Sequence, residues 1–126
     1  MDRAALEATA HALAVPGKGI LAADESNPTM GKRLSQIGMP NEERLRREFR
    51  ETLFTTSGME NYISGVILFD ETLRQSASDG RDMAEILQSK GVIPGIKVDG
   101  GALSMDSAPD EKLTAGLDGL AERCTE

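Results

Sequence analysis

The sequence predicts an α/β protein built on a parallel sheet buried on both faces, and two observations carry that prediction. Short continuous apolar runs, Gly19 to Ala23, Gly65 to Phe69 and Ile93 to Val98, alternate with segments of helical character. Each run also ends in charge: Asp24-Glu25, Asp70-Glu71 and Asp99. In open α/β sheets and in (β/α) barrels alike, ligands bind at the carboxyl ends of the strands. Asp24, Glu25, Asp70, Lys97 and Asp99 are therefore candidates for one functional face.

The elements follow in order. Asp2 to Val15 is rich in Ala and Leu at helical spacing, with Asp2 as a cap and Pro16-Gly17 as the stop. The first strand then runs from Gly19 to Ala23, and Asn27-Pro28 opens a loop. A short helix is expected from Gly31 to Ile37, closed by Gly38. Asn41 to Thr55 is the clearest helix, with Asn41 as N-cap and Glu42 and Glu43 at the positive end of the dipole. Leu45, Phe49 and Leu53 give it an apolar face. Arg44, Arg46, Arg47 and Arg50, set among Glu43, Glu48 and Glu51, read as a solvated face with helical ion pairs. After the second strand, a helix from Met83 to Lys90 stops at Gly91. The third strand runs to Val98, and Asp99-Gly100-Gly101 opens a loop. Pro109 to Arg123 reads as loop and helix.

Composition narrows the function. The 126 residues make about one small domain. The net charge of -7 argues against nucleic acid as a partner, although a few local cations can still hold an anionic substrate. One cysteine, Cys124, cannot form an internal disulfide, which suits a reducing cytoplasm. The first residues lack the pattern of a secretory signal, no transit peptide is seen, and no run approaches a membrane span.

Chemistry concentrates at two places. Lys97 stands between two apolar residues in Gly95-Ile96-Lys97-Val98-Asp99, where a cation needs a polar cavity or a carboxylate such as Asp24, Asp70 or Asp99. It is either half of a structural ion pair or a cation that holds phosphate. Asp24 and Glu25 are neighbours that point to opposite faces, so one can face a pocket while the other anchors a loop or helix. Ser26 and Thr29 add hydroxyls, and Lys32 and Arg33 add cations, a set that suits phosphate. Pro16-Gly17-Lys18-Gly19 lacks the spacing of a P-loop. His11 reads as a surface or packing residue and Cys124 as a buried or idle thiol. No cluster has metal-ligand spacing.

Five blocks then resemble one family, in its order and with its spacing: VPGKGILAADES (Val15–Ser26), NPTMGKRL (Asn27–Leu34), YISGVILFDETL (Tyr62–Leu73), GIKVD (Gly95–Asp99) and GLDGLAERC (Gly116–Cys124). They resemble the N-terminal portion of the class I, Schiff-base fructose-bisphosphate aldolases, and NPTMGKRL looks like the bacterial and plastid forms. The resemblance implies a (β/α)₈ TIM barrel, of which 1–126 would be about the first three βα units of a single domain. It implies reversible cleavage of fructose 1,6-bisphosphate to dihydroxyacetone phosphate and glyceraldehyde 3-phosphate by a carbon–carbon lyase that uses no metal or other cofactor. A lysine imine serves as the electron sink. By motif, Asp24 resembles the aspartate beside the Schiff-base lysine, and Lys97 the strand-three lysine near substrate. Ser26, Thr29 and Arg33 resemble phosphate contacts. Gly100 replaces a lysine common after GIKVD. A sugar-phosphate substrate, a homo-oligomer in the full-length protein and a cytoplasmic location are expected, or a plastid one in a photosynthetic eukaryote. None of the five lysines, Lys18, Lys32, Lys90, Lys97 and Lys112, matches the Schiff-base position. The 126-residue chain alone is thus expected to be inactive.

Two rivals remain. A doubly wound receiver domain would use Asp24-Glu25, Asp70 and Lys97 as its acidic set and lysine, but Val98 stands where such domains usually carry proline. The other is a non-catalytic aldolase remnant acting as a binding module.

Overall fold

The computed structural model describes residues 2–125, which divide into two units at Ile96/Lys97. In the first unit, α1 (Arg3–Leu13) leads to β1 (Gly19–Ala23), α2 (Asn27–Gln36) and α3 (Glu43–Thr55). A 3₁₀ turn at Met59–Asn61 precedes β2 (Ile63–Leu68), α4 (Asp70–Leu73), α5 (Met83–Ser89) and β3 (Ile93–Ile96). The strands are parallel and ordered β1-β2-β3. Sequential order is what a barrel requires of consecutive strands. Receiver-type doubly wound sheets place the first strand between the second and third. The receiver reading is therefore wrong, and the reason is topological.

Asp2 caps α1 as expected, its carboxylate accepting from the N–H groups of Ala4 at 3.0 Å and Ala5 at 3.3 Å. Gly65 on β2 lets α1 come close. A Cβ there would lie 2.4 Å from Leu13 Cδ2 and 3.2 Å from the Ile93 carbonyl oxygen. Next to it, buried Ser64 donates to the carbonyls of Leu13 (2.7 Å) and Gly19 (3.3 Å), tying α1 and β1 to β2. Ser64→Ala removes this donor, and a loss of about 1–2 kcal/mol in unfolding free energy is expected, read from the midpoint of urea denaturation.

The core lies between the sheet and the helices α3 and α5. Ala23, Val66 and Leu68 from the strands meet Phe54 of α3, Met83, Ile86 and Leu87 of α5, and Val92. On α1 and the strands, Thr9, Leu13, Ile20, Gly65, Ile67 and Pro94 help line an open apolar groove of about 350 Å³.

Several expectations need correction. The second helix starts at Asn27, not Gly31, because Ser26 is extended and Pro28 fits a first-turn position that lacks an N–H partner anyway. Asn41 does not cap α3; Glu42 holds that place, while the Asn41 side chain accepts from Arg46 Nη1 at 2.9 Å. The arginines of α3 do not form one solvated face. Arg46 is 7 % and Arg50 0 % exposed, and with Leu45 and Phe54 they form the buried stripe; Phe49 and Leu53 are half-buried beside it. Only Arg44 and Arg47 make the expected helical pairs, with Glu48 at 2.7 Å and Glu51 at 2.6 Å. β2 starts at Ile63, two residues before the expected Gly65, and ends at Leu68 rather than Phe69; Asp70–Leu73 forms the short α4, and β3 ends at Ile96, two residues early.

The second unit holds an antiparallel hairpin where loop and helix were expected. β4 (Gly101–Met105) pairs with β5 (Ala108–Ala115), and α6 (Leu120–Arg123) follows. Its strands carry Asp, Glu, Lys, Pro and Ala, residues of poor strand preference, and most are exposed. Backbone pairing and the cross-strand Leu103–Leu113 pair hold it. Gly116 is required at its base: φ is +128°, and a Cβ would lie 2.6 Å from the Val98 carbonyl oxygen. Arg123 donates to the carbonyls of Lys97 (3.1 Å) and Val98 (3.3 Å), fixing α6 to the start of the unit. Cys124 is exposed, not buried.

Candidate functional site

Ala23 pairs with Leu68, and Leu68 with Ile96, so β1, β2 and β3 end level. Asp24 and Phe69 are the residues that leave this end of β1 and β2. Asp24 is half-buried. Ser26 follows at the N-cap of α2, and its hydroxyl does not cap the helix. It lies 3.2 Å from the hydroxyl of Thr29, within hydrogen-bonding distance. Arg33 stands one helical turn beyond Thr29. Its guanidinium meets the Glu25 carboxylate at 2.8 Å, yet its side chain is 55 % exposed, so it keeps donors turned to solvent. Asp24, Ser26, Thr29 and Arg33 thus share one corner of the first unit.

Lys97 opens the second unit and forms a salt bridge with Asp99. That lysine's ammonium, with help from the Gly101 N–H at 3.0 Å, holds the Asp99 carboxyl below the usual carboxylate range. Asp70, grouped with the functional face from sequence, pairs instead with Arg74 at 3.2 Å on the surface, and both side chains are about half exposed.

Behind the corner lies a charged network that the sequence reading missed. Arg46 donates to both carboxylate oxygens of Glu71, Nε to Oε1 at 2.8 Å and Nη2 to Oε2 at 2.7 Å. Asn27 adds a donor to Oε2 at 3.2 Å. The Arg46 hydrogen bonds outweigh desolvation and hold the Glu71 carboxyl below its ordinary range. Burial pushes the fully enclosed Arg50 guanidinium down, against the opposing pull of Glu25, Glu71 and Asp24. Its Nη2 lies 3.9 Å from Glu25 and its Nη1 4.0 Å from Glu71. The Phe69 ring stacks at 5.8 Å from its centre. Two signals could have exposed the network: the Arg46-Arg50-Phe54 spacing of four, and strand-end carboxylates Glu25 and Glu71 that need cations. Among the described residues, no group of three or more His, Cys, Asp or Glu is placed to hold a metal ion.

What the arrangement can do is bind an anion at the start of α2, beside a carboxylate at the end of β1. Comparison with known proteins identifies the family. The family model for fructose-bisphosphate aldolase class I matches residues 5–126. A fructose-bisphosphate aldolase of Drosophila melanogaster is 55 % identical over 122 residues, 96 % of this chain and 34 % of that protein. Fructose-bisphosphate aldolase 6, cytosolic, of Arabidopsis thaliana is 54 % identical over 119 residues, 94 % of this chain and 33 % of that protein. The structure of the Plasmodium falciparum fructose-bisphosphate aldolase in complex with TRAP and a small-molecule inhibitor superposes with a TM-score of 0.91. That match has 49 % identity and covers 94 % of this chain and 34 % of the other. The chain spans about a third of the length of the curated relatives it matches. It belongs to the class I fructose-bisphosphate aldolase family.

Proposed function

We propose that this chain is the N-terminal part of one aldolase barrel domain, supplying about three βα units to the reversible cleavage of fructose 1,6-bisphosphate. The observation that carries the reading is the corner at β1 and α2. Asp24 sits at the strand end, the Ser26 and Thr29 hydroxyls lie 3.2 Å apart, and Arg33 is held in place by Glu25. In this reading Asp24 orients the substrate hydroxyl and stabilises a charged imine. Ser26, Thr29 and Arg33 receive a substrate phosphate, and Lys97, by its GIKVD motif, is a substrate-side cation of the full barrel. The electron sink is a lysine imine in a later part of the barrel, so the chemistry calls for no metal. The apolar groove along β1–β3 and the two open sheet edges, β1 and β3, fit a sheet that continues. A homo-oligomeric full-length enzyme in the cytoplasm belongs to the same proposal, supported on location by relatives described as cytosolic in Arabidopsis thaliana and cytoplasmic in Spinacia oleracea. Among the described residues no helix is long and apolar enough to cross a membrane.

Reduction of the imine tests this. The full-length protein incubated with dihydroxyacetone phosphate and borohydride is expected to gain one covalent adduct per subunit, and the 126-residue chain none. Stoichiometric trapping on the short chain, or none on the full-length protein, overturns the proposal.

A further inference from the structure

The carbonyls on either side of Asp24 share one donor. Arg50 Nε donates to the Ala23 carbonyl at 3.2 Å, and Arg50 Nη2 donates to the Glu25 carbonyl at 2.5 Å. Here the strand ladder runs out, because Ala23 is the last β1 residue paired with β2. A chain segment past its ladder has freedom that a single hydrogen bond does not remove. Two bonds from one rigid, planar guanidinium fix the Ala23–Asp24 and Glu25–Ser26 peptide units, so Asp24 lies in a short span held at both ends.

The guanidinium is itself fixed. Its side chain is fully buried, Phe69 stacks on it, and its charge faces Glu25 and Glu71, with Arg46 as the opposing cation. Nη1 makes no hydrogen bond, so its place is set by those charges and by packing. Burying a cation this deeply is costly. A purely structural stop for β1 could use a neutral donor.

We infer that Arg50 is a positioning residue that sets Asp24 in its working orientation through the Ala23 and Glu25 carbonyls. This deepens the reading above and rests on its assignment of Asp24. Misplacement of a reacting group by about 1 Å costs on the order of 100-fold in rate. Arg50→Met in the full-length enzyme is therefore expected to lower kcat by about 100-fold with KM little changed. Arg50→Lys keeps the charge and reaches one carbonyl at a time, and is expected to recover part of that loss.

The test is a kinetic double-mutant cycle in the full-length enzyme with Asp24→Asn. Once Asp24 is gone its orientation no longer matters, so adding Arg50→Met or Arg50→Lys should cost less than about threefold more. Single Arg50 variants with wild-type kcat, or losses that multiply with the Asp24→Asn loss, overturn the inference and leave the role of Asp24 standing. Wild-type kcat in Asp24→Asn alone overturns the role of Asp24 and the inference with it. Should Arg50→Met not fold, Arg50→Lys decides by the same criteria. Failure of Arg50→Lys to fold as well makes Arg50 a structural residue and overturns the inference.

Discussion

Glu71→Ala is expected to lower the unfolding free energy of the full-length protein by about 3 kcal/mol, the low end for breaking a buried ion pair from one side, because the Glu71 side chain is 20 % exposed. The reason is what it leaves behind. Arg46, with a side chain 9 % exposed, loses both of its carboxylate bonds, and fully buried Arg50 loses one of the anions that face it. Asn27 of α2 loses its acceptor at 3.2 Å, so the start of α2 loosens from α4. The urea midpoint should fall at nearly constant slope. Replacing an exposed partner such as Glu48 should cost less than about 1 kcal/mol, because its pair with Arg44 is solvated.

The same network sets a pH dependence. Glu71 is held below its unfolded value, chiefly by the Arg46 hydrogen bonds. A carboxylate depressed in the folded state contributes stability that is fully present above its unfolded pKa, about 4.3, and lost as pH falls through the folded value. The stability gap between wild type and Glu71→Ala should therefore stay constant from pH 7 to about 5 and narrow below about 4. A gap that widens in acid would contradict the ion pair.

Phe54→Ala is the second large effect, expected at about 3–5 kcal/mol. Phe54 is 0 % exposed and sits where α3 meets both the sheet and α5. Truncation opens a cavity within the core cluster that also holds Val66, Leu68, Ile86 and Leu87. The strands are fixed by their ladder and α5 is only seven residues long, which leaves little able to collapse into the space. Phe54→Leu, which refills most of the volume, should cost clearly less in the same urea denaturation.

The strands were legible as short continuous apolar runs, but the burial expected on both faces holds only for β2: β1 buries Ala23 alone, β3 is partly buried and α1 buries no residue. β1 has its predicted bounds, and Ser26, Thr29 and Arg33 follow it in chain order along α2 and its cap, where hydroxyls and a cation are expected. The hairpin was not legible, because backbone pairing holds it and its side chains mostly face water. Strand order was open as well: alternating strands and helices fit both a barrel and a doubly wound sheet, and only the observed β1-β2-β3 ladder separates them. The role of α3 was misread for a related reason. Arginine at a helical position signals solvent unless carboxylates elsewhere enclose it. Glu25 and Glu71, 25 and 21 positions from Arg50, do so only once β1 and β2 lie side by side.

By itself, then, the sequence determined the family, the parallel strands and the residues at the strand end, because motif and periodicity are local properties of the chain. The tertiary structure alone decided that two arginines of a seemingly solvated helix form the charged floor behind Asp24. Whether a charge is buried depends on which distant groups surround it, and no local pattern records that.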